Sequence, residues 1–304
     1  MTNKVTYLIT FLLLNSCSKL DLIPPIGFET TIDSDSIVFA NIGDYGSEGI
    51  AEQKVADMVK SWNPDFILTN GDNNYSEGKL NTIRQNISQY YGDYIYNFDA
   101  PSEYQCKGNA FTDSINRFFP CPGNHDSNND NDLVPYRNFF TLPGNELYYK
   151  FIWGPVTFFS LNSLSDIDNQ RIWLNQQIAT VTTPFIIVLF HYPPYSAGDH
   201  GSTGFMQWDF ESMNVDVVLS GHDHIYNRFQ KKDEPHVYYI VNGLGGRGLS
   251  KSYPSSFSSD LFTTFCYSED YGAIKITATR KKLILEFFAI HSSALPIDRI
   301  EIVK

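Results

Sequence analysis

The sequence predicts a protein of the α/β (α+β) class, a β-sandwich of two mixed sheets flanked by helices. Three observations carry this expectation. The folded part opens as strand, helix, strand, the unit that builds parallel sheet. The C-terminal end alternates apolar and polar residues at 272–279, 283–290 and 297–303, the period of antiparallel strands with one buried face. Between these ends, short apolar runs stop at glycine turns, as buried strands do.

Taken in order, residues 17–33 hold Pro24, Pro25 and Gly27 and read as a tether ahead of one domain over 34–304. Ser36 to Ala40 is a buried strand that ends in Gly43-Asp44-Tyr45-Gly46. Glu48 to Trp62 reads as a helix, with Ala51, Val55, Met58, Val59 and Trp62 on one face and Pro64 as its stop. Phe66 to Thr69 is the next strand and ends in Gly71-Asp72. The segment 76–100 reads as helical, from Leu80 through Ile83, Ile87 and Tyr90-Tyr91. Phe118 to Cys121 leads to a third glycine turn, Gly123-Asn124-His125-Asp126. Tyr148–Phe151 and Val156–Leu161 form an antiparallel pair around Gly154-Pro155. Asn169 to Thr180 is a helix with Ile172, Trp173 and Ile178 near the right period. Phe185 to Phe190 is an uninterrupted apolar strand ending in His191. Val217 to Ser220 is another and ends in Gly221-His222-Asp223-His224. Val237 to Val241 runs into Gly243-Leu244-Gly245-Gly246, read as a tight turn because no Lys-Ser/Thr pair follows to make a phosphate loop.

The 304 residues, 42% hydrophobic, suffice for a sizeable core. A formal charge of -12 argues against a nucleic-acid polymer as partner, but leaves room for a small phosphate ester, whose local field a metal can reverse. Residues 1–16 read as a signal peptide, with Lys4 and the apolar run Tyr7–Leu14, too short to span a bilayer as a mature helix. Ser16 before Cys17 resembles a bacterial lipoprotein cleavage box. It implies an exported protein held on a membrane, periplasmic or at the surface, through lipid on Cys17; otherwise the chain is secreted. Cys106, Cys121 and Cys266 remain, an odd number without a CxxC pair, and Cys121 reads as a buried small hydrophobe.

Five strand ends carry metal-ligand residue types: Asp44; Asp72 with Tyr75; Asn124 with His125; His191; and His222 with His224. Each has an ordinary explanation as a turn residue, but their recurrence at strand end after strand end points to one metal centre. These blocks, Gly43–Gly46, Gly71–Tyr75, Gly123–Asp126, Val188–His191 and Gly221–His224, resemble the five-block signature of the purple acid phosphatases, which are calcineurin-like metallophosphoesterases. The length resembles the small, tartrate-resistant type.

The resemblance implies a metallophosphoesterase-like fold and a binuclear centre of Fe(III) with a divalent ion, iron, zinc or manganese. Asp44, Tyr75 and His224 match the ligands of the first metal, Asn124, His191 and His222 those of the second, and Asp72 the bridging carboxylate. Gly46 stands where the wider superfamily has a ligand histidine, and Tyr75 fills that vacancy; hard phenolate and carboxylate oxygens suit ferric iron. The implied reaction is hydrolysis of phosphate monoesters by in-line attack of a hydroxide generated at the metals. His125 and His200 resemble the histidines that contact substrate phosphate, and which of them gives the leaving group its proton stays open. The Tyr192–Tyr195 segment is expected to shape a pocket wall, and Asp223 to face away from the metals. A phosphodiesterase or nucleotide hydrolase on the same scaffold, and a non-catalytic surface binding protein, are the alternatives.

Overall fold

The computed structural model describes residues 31–108, 115–127, 133–233, 235–253 and 262–304. The expected signal peptide, Cys17 and most of the expected tether therefore lie outside the described residues. The strands are β1 (Thr31–Ile32), β2 (Ser36–Ile42), β3 (Phe66–Thr69), β4 (Phe118–Pro120), β5 (Tyr149–Trp153), β6 (Val156–Ser160) and β7 (Phe185–Leu189). They continue as β8 (Val217–Ser220), β9 (Tyr226–Lys231), β10 (Tyr238–Asn242), β11 (Phe262–Tyr267), β12 (Gly272–Thr279), β13 (Lys282–Ala289) and β14 (Asp298–Val303). The α-helices are α1 (Ile50–Ser61), α2 (Gln89–Tyr91), α3 (Val134–Phe139) and α4 (Ile167–Ile178).

Two mixed sheets form the sandwich. One has the order β14-β13-β12-β2-β3-β4, the other β1-β5-β6-β7-β8-β10-β9-β11. In the first, β2, β3 and β4 run parallel, and the C-terminal meander β12–β14 adds antiparallel strands beside β2. In the second, β6, β7, β8 and β10 run parallel. Aromatic side chains close the gap between the sheets. Phe39 and Phe66 from the first meet Phe158 at 5.2 and 5.3 Å, and Phe119 stacks on Phe151 at 4.0 Å. Each fully buried phenylalanine contributes about 1.5–3 kcal/mol by leaving water. A second cluster lies on the outer face of the larger sheet, with Phe159, Val188, Phe190 and Tyr239 packed with Leu174 of α4 and with Trp208 and Phe210. Strand β7 is therefore covered on both faces, which is why its sequence is apolar without alternation.

Four sequence expectations change. The helix expected over 76–100 breaks into a 3-10 turn (Leu80–Thr82), a π turn (Arg84–Ser88) and the three-residue α2, and stops at Gly92. Polar bonding to other loops overrides the local period: Asn86 donates to the Tyr75 carbonyl at 2.7 Å, and Asn97 to that of Phe139 at 2.7 Å. In α4 the packed residues are Leu174 and the half-buried Trp173 and Ile178, whereas Ile172 is 56% exposed. Strand β1 uses the last residues of the expected tether, pairing Thr31 and Ile32 with Ile152 and Trp153. The strands β9 and β11 and the helix α3 were not expected, since Tyr226–Lys231 and Phe262–Tyr267 lack a clean alternation. Cys106, Cys121 and Cys266 are free thiols, with Cys121 buried.

Candidate metal centre

The carboxyl ends of β2, β3 and β4 meet those of β7 and β8, where ligands of open α/β sheets sit. Buried asparagines tie these ends together. Asn41 and Asn70 exchange amide hydrogen bonds at 2.8 and 3.1 Å, Asn70 also donates to the Ser220 carbonyl at 2.8 Å, and Asn242 donates to the Asn41 carbonyl at 3.0 Å. The glycines of the turns serve close approach between loops. A Cβ on Gly221 would stand 2.5 Å from Asp44 Oδ2, and one on Gly123 would collide with the backbone and carboxylate of Asp72. The residues that follow three of the turn glycines, Asp44, Asp72 and His222, take the left-handed backbone at φ 53, 52 and 73°. That conformation costs a non-glycine residue of order 1–3 kcal/mol and persists where the surroundings hold it. Here the His222 N–H donates to Asp44 Oδ2 at 2.9 Å, and the Asp44 N–H to the Gly71 carbonyl at 3.1 Å.

The donor atoms fall into two groups that share Asp72. In the first, the Tyr75 hydroxyl donates to Asp72 Oδ2 at 2.8 Å and lies 3.2 Å from both Asp44 Oδ1 and His224 Nε2. His224 Nε2 is 3.5 Å from Asp44 Oδ1. In the second, His191 Nε2 lies 2.9 Å from Asn124 Oδ1 and 3.4 Å from Asp72 Oδ1. The two oxygens of Asp72 thus face different groups. The His222 ring stands beside His191, centroids 5.1 Å apart, and its nitrogens have no hydrogen-bond partner among the described residues. Asp44, Asp72 and His191 are buried and bring one donor atom each within 4.8 Å of one another.

This arrangement suits cations. His191 Nδ1 faces the Asn70 carbonyl at 2.8 Å, and a carbonyl only accepts, so Nδ1 carries the proton. In the neutral ring, Nε2 then turns a lone pair toward the acceptor oxygens of Asn124 and Asp72. Acceptors meeting face to face need a proton or a cation between them. Separations of 2.8–3.5 Å are those of ligands held about 2.1 Å from a common ion at angles between about 85° and 115°. The protonation states express the same demand. Burial opposes the charged form of His191, yet Asp72 and Asp44 hold its pKa above the ordinary value. Burial likewise opposes charge on Asp44, but His224, His191 and His222 hold its carboxyl below the usual range. Burial, reinforced by Asp44 and Asp72, pushes the Tyr75 phenol well above 10. His222 is pushed down to about 3 by burial and by His191, so its imidazole is neutral and keeps a free lone pair.

Both candidate substrate histidines flank these groups. The His125 N–H donates to Asp72 Oδ1 at 2.8 Å, its ring lies 4.4 Å from that of Tyr75, and its Nδ1 is 2.7 Å from the Ser76 carbonyl. His200 is exposed and stacks on His222 at 4.2 Å. Asp223 is buried away from the donor atoms and organises the His200 loop, accepting from the His200 N–H at 2.8 Å and from the Ser196 hydroxyl. Only part of the expected aromatic wall faces the site. Tyr192 packs on His222 at 4.6 Å, whereas Tyr195 is buried in the outer core against Tyr239 and Phe262. The supporting residues that sequence reasoning missed are Asn41, Asn70, Asn73, Asp126 and Asn242. Asp126 accepts from the N–H groups of Gly123 and Asn73. The one signal for Asn41, Asn70 and Asn242 was an amide at the end of an apolar run; Asn73 and Asp126 lie within the glycine-turn blocks themselves.

The family model for calcineurin-like phosphoesterases matches residues 37–226, more than half of the chain, and the chain belongs to that family. Purple acid phosphatase 22 of Arabidopsis thaliana is 29% identical over 280 residues, covering 83% of this chain and 60% of that protein. The rat (Rattus norvegicus) tartrate-resistant acid phosphatase type 5 is 23% identical, covering 74% of this chain and 77% of that one. The chain thus spans about 60% of the length of the plant relative. Among solved structures, the purple acid phosphatase PPD1 from yellow lupin seeds superposes with a TM-score of 0.69 at 17% identity, over 91% of this chain and 55% of that chain. GAP50, the anchor in the inner membrane complex of Plasmodium, superposes with a TM-score of 0.66 at 17% identity, over 89% and 90%. At such identities the likeness is one of fold.

Proposed function

We propose that the chain is a binuclear metal-dependent acid phosphatase that hydrolyses phosphate monoesters. The observation that carries this reading is the position of the Tyr75 hydroxyl, within 3.2 Å of Asp44, Asp72 and His224, while the other oxygen of Asp72 faces His191. Asp44, Tyr75 and His224 would hold a ferric ion. Asn124, His191 and His222 would hold a divalent one, iron, zinc or manganese, with Asp72 shared. Such a pair supplies Lewis-acid neutralisation of the phosphoryl group and hydroxide near neutral pH.

The chain's own residues supply the rest. Asp44 and Asp72 offset the metals' charge only in part, which leaves the centre attractive to a phosphate despite the acidic exterior. The Asn70 carbonyl fixes the tautomer of His191. His125 has its Nδ1 committed to Ser76, so its Nε2, 4.0 Å from Asp72 Oδ2, is the nitrogen left to meet substrate. His200, exposed beside His222, presents a second imidazole to the phosphate and the leaving oxygen. Export and lipid attachment at Cys17 belong to the same reading and rest on the N-terminal sequence. Among the described residues no helix is long and apolar enough to cross a membrane.

The fold also serves an anchor, GAP50, so fold alone does not decide between catalysis and binding. What favours catalysis is a complete donor set with both flanking histidines in place. Turnover of an aryl phosphate monoester against the corresponding diester tests the reading. Monoester preference is expected; preference for the diester would move the assignment to a phosphodiesterase, and metal-loaded protein without turnover to a binding protein.

A further inference from the structure

The glycine run Gly243–Gly246 reads in the sequence as a tight turn with no part in the chemistry. The structure places it at a sixth strand end on the same rim, since β10 runs parallel to β8. Its glycines let it press onto the Asp44 loop. The Gly245 N–H donates to the Gly43 carbonyl at 2.9 Å, and a Cβ there would stand 2.6 Å from that of Tyr45. Gly246 has φ +141° and lies against the backbone of Glu52, where a Cβ would sit 2.7 Å from Cα. The next residue, Arg247, donates its N–H to the Asp44 carbonyl at 3.1 Å, and the Ser250 N–H donates to the His224 carbonyl at 3.0 Å. The loop is thus fastened to two of the ligand loops, with Arg247 between the fastenings. Its guanidinium stands over the Tyr75 ring, 4.9 Å from the centroid, and the residue is exposed. No carboxylate or carbonyl among the described residues accepts from its side chain. Stacking on Tyr75 is worth about 0.5–1 kcal/mol at an exposed site and leaves five N–H donors free.

A guanidinium without an acceptor among the described residues, fixed beside the donor groups in a chain of net charge -12, is a binding element for anions. We propose that Arg247 is a specificity-determining residue that binds a second anionic group of the substrate, adjacent to the scissile phosphoryl group. The favoured substrates are then phosphate compounds with a neighbouring phosphoryl or carboxylate group. This proposal rests on the phosphatase reading, and the test separates the two.

The test titrates metal-loaded wild type, Arg247→Gln and Arg247→Lys with orthophosphate, imidodiphosphate and phosphonoacetate. A parallel assay compares kcat/KM for a nucleoside diphosphate and an aryl monophosphate. In Arg247→Gln, affinity for one or both of the two-anion probes should fall about tenfold relative to orthophosphate, and the diphosphate-to-monophosphate ratio of kcat/KM should fall about as far through KM. Arg247→Lys should recover part of both. Loss on imidodiphosphate alone would identify a phosphoryl neighbour, and loss on phosphonoacetate alone a carboxylate. An equal fall on all three anions, as expected from disturbed packing over Tyr75, or no fall on any, would overturn the proposal. If wild type turned over neither ester, the phosphatase reading would fail and the titration would still decide the role of Arg247.

Discussion

Tyr75 illustrates how one residue's surroundings set its chemistry. Burial, Asp44 and Asp72 keep its phenol protonated, and that proton now lies between oxygen acceptors. A strongly polarising cation would take the proton's place, so binding of the first metal should release it. Iron-loaded, oxidised wild type is therefore expected to absorb in the visible through the phenolate, and Tyr75→Phe to lose that band. A colourless iron-loaded wild type would show that Tyr75 is no ligand. His200 differs in kind, because its exposed ring stacks on a proposed ligand, His222, whereas Tyr75 is buried among the donor atoms. His200→Ala should lower kcat about 100-fold or more, the scale of general acid catalysis, with metal content intact. Loss of metal together with activity would instead place His200 among the ligands. Asp223 stands between the two proposed ligand histidines in the sequence, yet it is buried against Ser196 and holds the His200 backbone. It links the loop of His222 and His224 to that of His200.

Loops rather than regular elements deliver the site, and this decided what the sequence could disclose. Asp44, Asp72, Asn124, His191 and His222 were legible because each follows a short apolar run, so strand end and candidate ligand coincide in the sequence. The parallel β2–β3 unit was legible from the same short runs, and the β12–β14 meander from its alternation of apolar and polar residues. The glycines were legible as turns, but their actual constraint is proximity: Gly123 abuts Asp72 and Gly221 abuts Asp44, contacts that exist only after distant strands assemble. The broken helix after Leu80 and the asparagine network were illegible because their bonds join residues up to 201 positions apart. The start of α1 shows a further tertiary effect. Glu52 is buried and accepts from the N–H groups of Ser47 and Glu48 through one oxygen, while the other has no partner. Burial raises its pKa from 4.5 to about 9, so the folded state keeps this carboxyl protonated where the unfolded chain ionises it. Its contribution to stability is then greatest below about pH 4.5, declines as pH rises, and is lost above about 9. Glu52→Gln should flatten the fall of Tm over that window; an unchanged pH dependence would show that Glu52 ionises freely in the folded protein.

At the scale of the whole molecule, two sheets with a shared aromatic core place loops from opposite halves of the chain against one another. Asp44 lies 178 positions before His222, to which it is hydrogen-bonded, and neither sheet alone assembles the donor set. The chain carries a net charge of -12, while the loops around the donor atoms carry imidazoles and Arg247, so any attraction for a phosphate is local to the centre. The central claim is that two metal ions share Asp72. Elemental analysis of wild type and Asp72→Ala, purified in parallel, tests it most directly. The account predicts about two metal ions per chain in wild type, iron among them, and loss of both in Asp72→Ala. Full retention of metal by Asp72→Ala would contradict it.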